Sequence, residues 1–201
     1  MKTTLIATGI ALSMAAASQG AIVSVVGQGV QIAPPTNANF PTLLGPLAQA
    51  WDEQQNVAVS PGLLADITAN PGSSLTPTPG VVSGIFNSHF LHFSANPATG
   101  PAIGAITFDG PIVAVMFNDA TLDLSDGLGA LGTTYPTGQV SRGLNGQSFV
   151  TVLGNTLRFN LFGGTSGAID IEQVRVLTHP VPAPGALALA AGGLIMIRRR
   201  R

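Results

Sequence analysis

The chain has 201 residues, of which 8 % are charged and 45 % hydrophobic, with Gly 25 and Pro 15; an ordinary soluble domain carries about 25 % charged residues. A disordered chain is charge-rich and apolar-poor, so that class is excluded, and the lack of cysteine excludes a disulfide scaffold, a Cys-ligated zinc and a thiol nucleophile. Between Ala21 and Thr178 three basic residues (Arg142, Arg158 and Arg175) stand against nine Asp and Glu, a net charge of −6 that the whole-chain value of −1 hides. Three scattered arginines cannot track a run of phosphates, so nucleic acid is not a predicted partner.

At the amino end, Lys2 precedes an apolar run over residues 5–17, and Ser18-Gln19-Gly20 sets small residues at −3 and −1 of a cut before Ala21. A positive start, an apolar core of this length and small residues at the junction form a secretory signal peptide over residues 1–20. The run is too short to span a bilayer, so cleavage is expected rather than anchoring.

Residues 21–178 form the body, which is long enough to bury roughly 70 % of the surface its unfolded chain exposes. No stretch keeps a helical period. Short runs rich in Val, Ile, Phe and Thr alternate with Gly, Pro, Asn and Asp clusters, which predicts strands over 22–26, 57–60, 65–68, 88–93, 102–108, 112–118, 148–152, 156–162 and 169–177. In residues 156–162, Leu157, Phe159 and Leu161 share one face and Arg158 and Asn160 the other. Asp109-Gly110 between two apolar runs predicts a hairpin, restricted by Pro111. The last strand changes register, which predicts a bulge near Glu172-Gln173. Residues 41–55 are the one place for a short helix or irregular packing, and residues 125–135 read as a Gly-rich loop with at most one helical turn. The fold class is therefore all-β: a two-sheet antiparallel sandwich of jelly-roll type.

Within the body, no Gly-x-Ser-x-Gly elbow occurs, no catalytic residue is assigned, and the body is expected not to be an enzyme. A secreted hydrolase would need a Ser, a His and an acid brought together from distant positions. His89 and His92 are three apart on a predicted strand, so they point to opposite faces and are expected to be sheet residues, one exposed and one hydrogen-bonded inside. Asp119, Asp123 and Asp126 are the densest carboxylate group, with Asp119 and Asp123 on one strand face and Asp126 in the following loop. The metal such oxygens suit is calcium, although the spacing is not that of an EF-hand. Trp51 and Tyr135 are the aromatic candidates for stacking on a sugar ring, which makes an exopolysaccharide-binding module the alternative function.

At the carboxyl end, Val181-Pro182-Ala183-Pro184-Gly185 breaks any preceding element, an apolar run covers residues 185–197, and Arg198, Arg199, Arg200 and Arg201 close the chain. The run of 13 residues is shorter than the ~20 of a full membrane span, and the arginines keep the cytoplasmic side. This three-part layout over residues 179–201 resembles the PEP-CTERM sorting signal of exported Gram-negative proteins. Val181, Pro182 and Pro184 match its motif, and Ala183 stands where that motif usually has Glu. The stretches Asp52-Glu53-Gln54-Gln55-Asn56-Val57, Leu91-His92-Phe93, Ile106-Thr107-Phe108 and Gly132-Thr133-Thr134-Tyr135-Pro136 are similar to the uncharacterised bodies of such proteins. The resemblance implies recognition by an exosortase, a membrane enzyme that removes the tail. It also implies transient anchoring in the inner membrane through residues 185–197, and a final place at the cell surface or in the extracellular matrix.

Overall fold

The computed structural model describes residues 20–39, 41–95, 100–163 and 171–181. The predicted signal peptide up to Gln19 and the tail after Val181, including residues 185–197 and the four terminal arginines, lie outside the described residues. Among the described residues, strands numbered in chain order form two sheets. The first sheet has the order β1 (Ile22–Gly27), β7 (Ala102–Phe108), β10 (Thr156–Leu161), β9 (Phe149–Leu153) and β5 (Gly72–Ser73). The second has the order β2 (Gly29–Gln31), β3 (Ala48–Asp52), β6 (Gly80–Phe93), β11 (Glu172–Thr178) and β8 (Ile112–Met116), with β4 (Val57–Ala65) also paired to β6. Every strand pairing is antiparallel except β2 with β3, which run parallel. The molecule is thus the expected all-β sandwich.

The strands form where the alternation is cleanest. Leu157, Phe159 and Leu161 are buried while Arg158 is exposed, and the two-residue turn Gly154-Asn155 returns β9 into β10, with Gly154 at φ 65° as such a turn requires. Asp109-Gly110 is not a hairpin. β7 pairs with β1 and β10 in the first sheet, whereas β8 pairs with β11 in the second, so residues 109–111 carry the chain from one sheet to the other. Glycine is required there because a Cβ on Gly110 would meet the carbonyl oxygen of His179 at 2.1 Å.

Four other expectations change. The run at 57–60 extends into β4 as far as Ala65, with a register shift against β6 between Val59 and Leu63, around Ser60-Pro61-Gly62, whereas the strand predicted over 65–68 does not form beyond Ala65, where Ile67 makes an isolated bridge to Val115. The predicted strand at 88–93 is the second half of the 14-residue β6. Residues 41–55 contain β3 rather than a helix. Asp119 and Asp123 lie not on a strand but on α1 (Asp119–Ser125), which runs into a 3-10 turn at Asp126–Leu128. Asp66, just after β4, organises that start. It accepts from the backbone N–H of Phe117 (2.7 Å) and Asn118 (2.9 Å), from Asn118 Nδ2 (2.6 Å) and from Thr121 Oγ1 (2.7 Å).

Two cores result. One lies between the sheets and joins Ile106, Phe108, Val150, Leu157 and Phe159 to Leu91, Phe93, Val115, Val174 and Val176. The other lies on the opposite face of the second sheet, where Trp51, Phe90, Met116 and Leu177 pack beneath Leu122, Leu128, Ala130 and the partly buried Tyr135. β11 is therefore buried on both faces along its whole length. Its pairing with β6 runs unbroken from Glu172 opposite Phe93 to Thr178 opposite Asn87, so there is no bulge at Glu172-Gln173. The polar residues that broke its alternation face a covered layer, not solvent.

Candidate functional site

The polar residues of this second layer form one ion-pair cluster. Arg175, with no exposed side-chain surface, donates through Nε to Glu53 Oε2 (2.8 Å) and through Nη2 to Glu53 Oε1 (3.1 Å). Its Nη1 donates to Ser125 Oγ at 2.7 Å and to Asp126 Oδ1 at 3.1 Å. The guanidinium carbon lies 4.9 Å from the ring centres of both Phe90 and Tyr135, which adds cation–π attraction. Glu53 also accepts from Ser88 Oγ at 2.6 Å and from the hydroxyl of Tyr135. Asp126 links this centre to a second arginine: Arg142 donates Nη1 to Asp126 Oδ2 and Nη2 to Asp126 Oδ1, both at 2.7 Å, and Nη1 to Asp123 Oδ1 at 2.8 Å. Arg142 Nε donates to Gln173 Oε1 at 2.8 Å.

The electrostatics follow from burial and pairing. Burial alone would lower the Arg175 pKa, but Glu53, Tyr135 and Asp126 outweigh it and hold the guanidinium charged. Burial and the adjacent Glu53 carboxylate push the Tyr135 phenol up, so it stays a donor. For Asp126 burial acts upward, and hydrogen bonds from Arg142 and Thr137 with the charges of Arg142 and Arg175 bring it below the usual carboxylate range. Asp119 is raised by burial and by Asp123, against the pull of Arg142.

This geometry decides what each sequence-predicted site residue does. Asp123 and Asp126 converge on Arg142, and Asp119 takes no part in those pairs. Among the described residues, no group of three or more His, Cys, Asp or Glu side chains has the arrangement to hold a metal ion. Trp51 is 0 % exposed and packs against Phe90 with ring centres 5.0 Å apart, so it presents no face to a sugar. Tyr135 is committed to Glu53, to the Ala130 N–H at 3.0 Å and to the Phe90 ring edge. Neither aromatic is a stacking platform. Val181 is exposed; Pro182, Pro184 and Arg198 to Arg201 lie outside the described residues. So does the apolar run 185–197, and among the described residues no helix is long and apolar enough to cross a membrane.

The histidines also differ from expectation, since both are buried. His92 stacks near Trp51 and accepts at Nδ1 from Gln173 Nε2 at 3.1 Å, while its Nε2 has no partner. Burial brings its pKa down to about 3, so it is neutral. His89 stands in a line that sequence reading missed: its Nδ1 faces Asp52 Oδ1 at 2.7 Å and its Nε2 faces Thr178 Oγ1 at 3.0 Å. A hydroxyl–imidazole–carboxylate order is that of a nucleophilic triad. Here the hydroxyl belongs to a threonine that is 0 % exposed, beside a histidine 1 % exposed, so no substrate carbonyl reaches it. The line satisfies polar groups where the first strand enters the sandwich. No sequence motif signals it, because its three members come from three strands that only pairing brings together.

Two open grooves flank the cluster. One, of about 370 Å³, is lined by Pro34, Glu53, Gln54, Gln55, Ala130 and Leu131. The other, of about 330 Å³, runs between β4 and α1 and is mainly apolar, with Val57, Val59, Leu63, Leu124 and Leu128. Compared with protein-family models, curated proteins and solved structures, the chain matches none.

Proposed function

We propose that this is an exported, non-enzymatic protein of a Gram-negative cell surface or extracellular matrix. A signal peptide delivers it, an exosortase-like membrane enzyme sorts it, and residues 185–197 hold it transiently in the inner membrane. The observation that carries this reading is the order of the chain: a leader, then a body, then Val181-Pro182-Ala183-Pro184, an apolar run and four arginines. The body between the two addresses is one compact unit over Gln19–Val181. Its character supports the same reading. Two of its three arginines are spent on internal ion pairs, and Arg158 is the only exposed Lys or Arg among the described residues. A surface of this kind is hydrated mainly by Asn, Gln, Ser, Thr and backbone, and offers no basic patch to a polyanion.

The test is the intact mass and terminal peptides of the native protein from each cell fraction. The expected species begins at Ala21 and lacks the segment after Pro182. A species that keeps Arg198 to Arg201 in the inner-membrane fraction makes the tail a plain anchor and overturns the sorting reading.

A further inference from the structure

Both ends of the body are held by one short crossover. Residues 109–111 carry the chain between the sheets. The Asp109 N–H donates to the Ala21 carbonyl at 3.1 Å, and the Pro111 carbonyl accepts the His179 N–H at 3.0 Å. Gly110, between them, packs so closely that an added Cβ would stand 2.1 Å from the His179 carbonyl oxygen and 3.4 Å from Val181 Cγ2. The chain therefore enters and leaves the body at the same pole. The turn between β9 and β10 belongs to this pole too: the Phe108 N–H donates to the Asn155 carbonyl at 2.9 Å and the Ile112 N–H to the Gly154 carbonyl at 3.1 Å.

Apolar side chains stand exposed around this crossover. Val23 is 62 %, Leu153 41 % and Val181 37 % exposed, and Pro111 is exposed beside them. Val23 follows Ile22, which pairs with Phe108, and Leu153 faces Thr156 at the start of the β9–β10 turn. Single exposed apolar residues are ordinary on any protein; these are set apart by where the chain goes next. Residues 18–20 are all that separate Ala21 from the apolar run ending at 17, and residues 182–184 all that separate Val181 from the run beginning at 185. Four peptide steps reach at most about 14 Å. β7 meanwhile carries the sandwich away from the pole, from Phe108 back to Ala102, a distance of about 20 Å.

We infer that this pole is a docking surface for a lipid bilayer, with Val23, Leu153 and Val181 seated at the boundary of headgroups and acyl chains while the body is anchored. The inference rests on the export reading for the anchoring and goes beyond it by giving the body a lipid-facing surface of its own. Apolar side chains gain from leaving water at that boundary. A second copy on the same pole would have to make room for both flanking segments, whereas a bilayer takes up their apolar runs. Docked in this way, the peptide bonds before Ala21 and after Val181 both lie at the membrane surface, where a membrane enzyme works.

The chain has no cysteine, so single cysteines can carry a fluorophore. Val23→Cys and Leu153→Cys report on the pole. Gln147→Cys reports on the far end, because exposed Gln147 adjoins Ser148, whose hydroxyl accepts the Phe162 N–H just beyond β10 at 2.9 Å. Each full-length labelled chain is reconstituted in phosphatidylethanolamine–phosphatidylglycerol vesicles with a nitroxide on some of the headgroups. The probes at 23 and 153 are expected to be quenched several-fold more strongly than the probe at 147. Chains that float with the vesicles but are quenched equally at all three positions overturn the inference and leave the anchoring standing. Chains that do not float with the vesicles overturn the anchoring, and the inference with it. Probes at 23 and 153 shielded from the nitroxide and from aqueous iodide alike make the pole a contact between copies and also overturn it.

Discussion

Arg175 holds a charge where water does not reach, and it is tolerated because Glu53, Ser125 and Asp126 accept from its nitrogens and the Phe90 and Tyr135 rings pack against its guanidinium. Removing one partner of such a pair strands the other. Arg175→Met is expected to cost about 3–5 kcal/mol in urea unfolding, and Arg175→Met with Glu53→Met together less than the sum of the two single changes. His92 supplies a pH dependence of defined sign. Its folded pKa of about 3 lies below its ordinary 6.5, so the unfolded chain binds the extra proton between these values. Stability is then full above about pH 6.5 and falls by about 1.4 kcal/mol per pH unit as the pH drops toward 3. His92→Asn flattens that segment of the profile, read as unfolding free energy against pH. Asp126, held below its ordinary range, adds stability that is present above its unfolded pKa and lost as the pH falls through the folded one.

At the scale of elements, α1 depends on a single carboxylate from a distant segment. Asp66 accepts four hydrogen bonds at the junction of β8 and α1, although Asn118, the residue at the helix N-cap, makes no side-chain capping bond of its own. Asp66→Ala is expected to cost about 2 kcal/mol or more and to speed amide hydrogen exchange over residues 121–125. This helix also shows why part of the site was illegible. Three aspartates spaced over residues 119–126 look like ligands when read alone, and nothing in their spacing reveals that Arg142 and Arg175 come to meet Asp123 and Asp126. Strands with one covered face were legible: β7 has the predicted bounds and β10 ends one residue short of them. β3 and the first half of β6 were not, because Gln49 and Asp52 interrupt one, and Gly80, Ser83 and Gly84 weaken the other. β11 was seen but its faces were misread, since alternation reports contact with water only when one face has it.

At the scale of the whole described body, Glu53, Arg142 and Arg175 lie inside, and the surface leaves apolar side chains such as Val23, Val81, Ile85, Leu131 and Val140 exposed. The sequence of the body, Ala21 to Thr178, carries a net charge of −6, and Arg158 is the one exposed Lys or Arg among the described residues.

β11 lies inside the second sheet, between β6 and β8, and supplies Val174 and Val176 to one core and Leu177 and Arg175 to the other. It is also the last strand of the described chain. A chain emerging from the ribosome amino end first can assemble neither core until this strand arrives, and its closing contacts with β6 span some eighty residues or more. Folding therefore waits until β11 has been made, with the loop-closure cost of a high contact order. A body that cannot settle before its final strand emerges is, for that interval, an unfolded thread suited to passage through a narrow translocation channel.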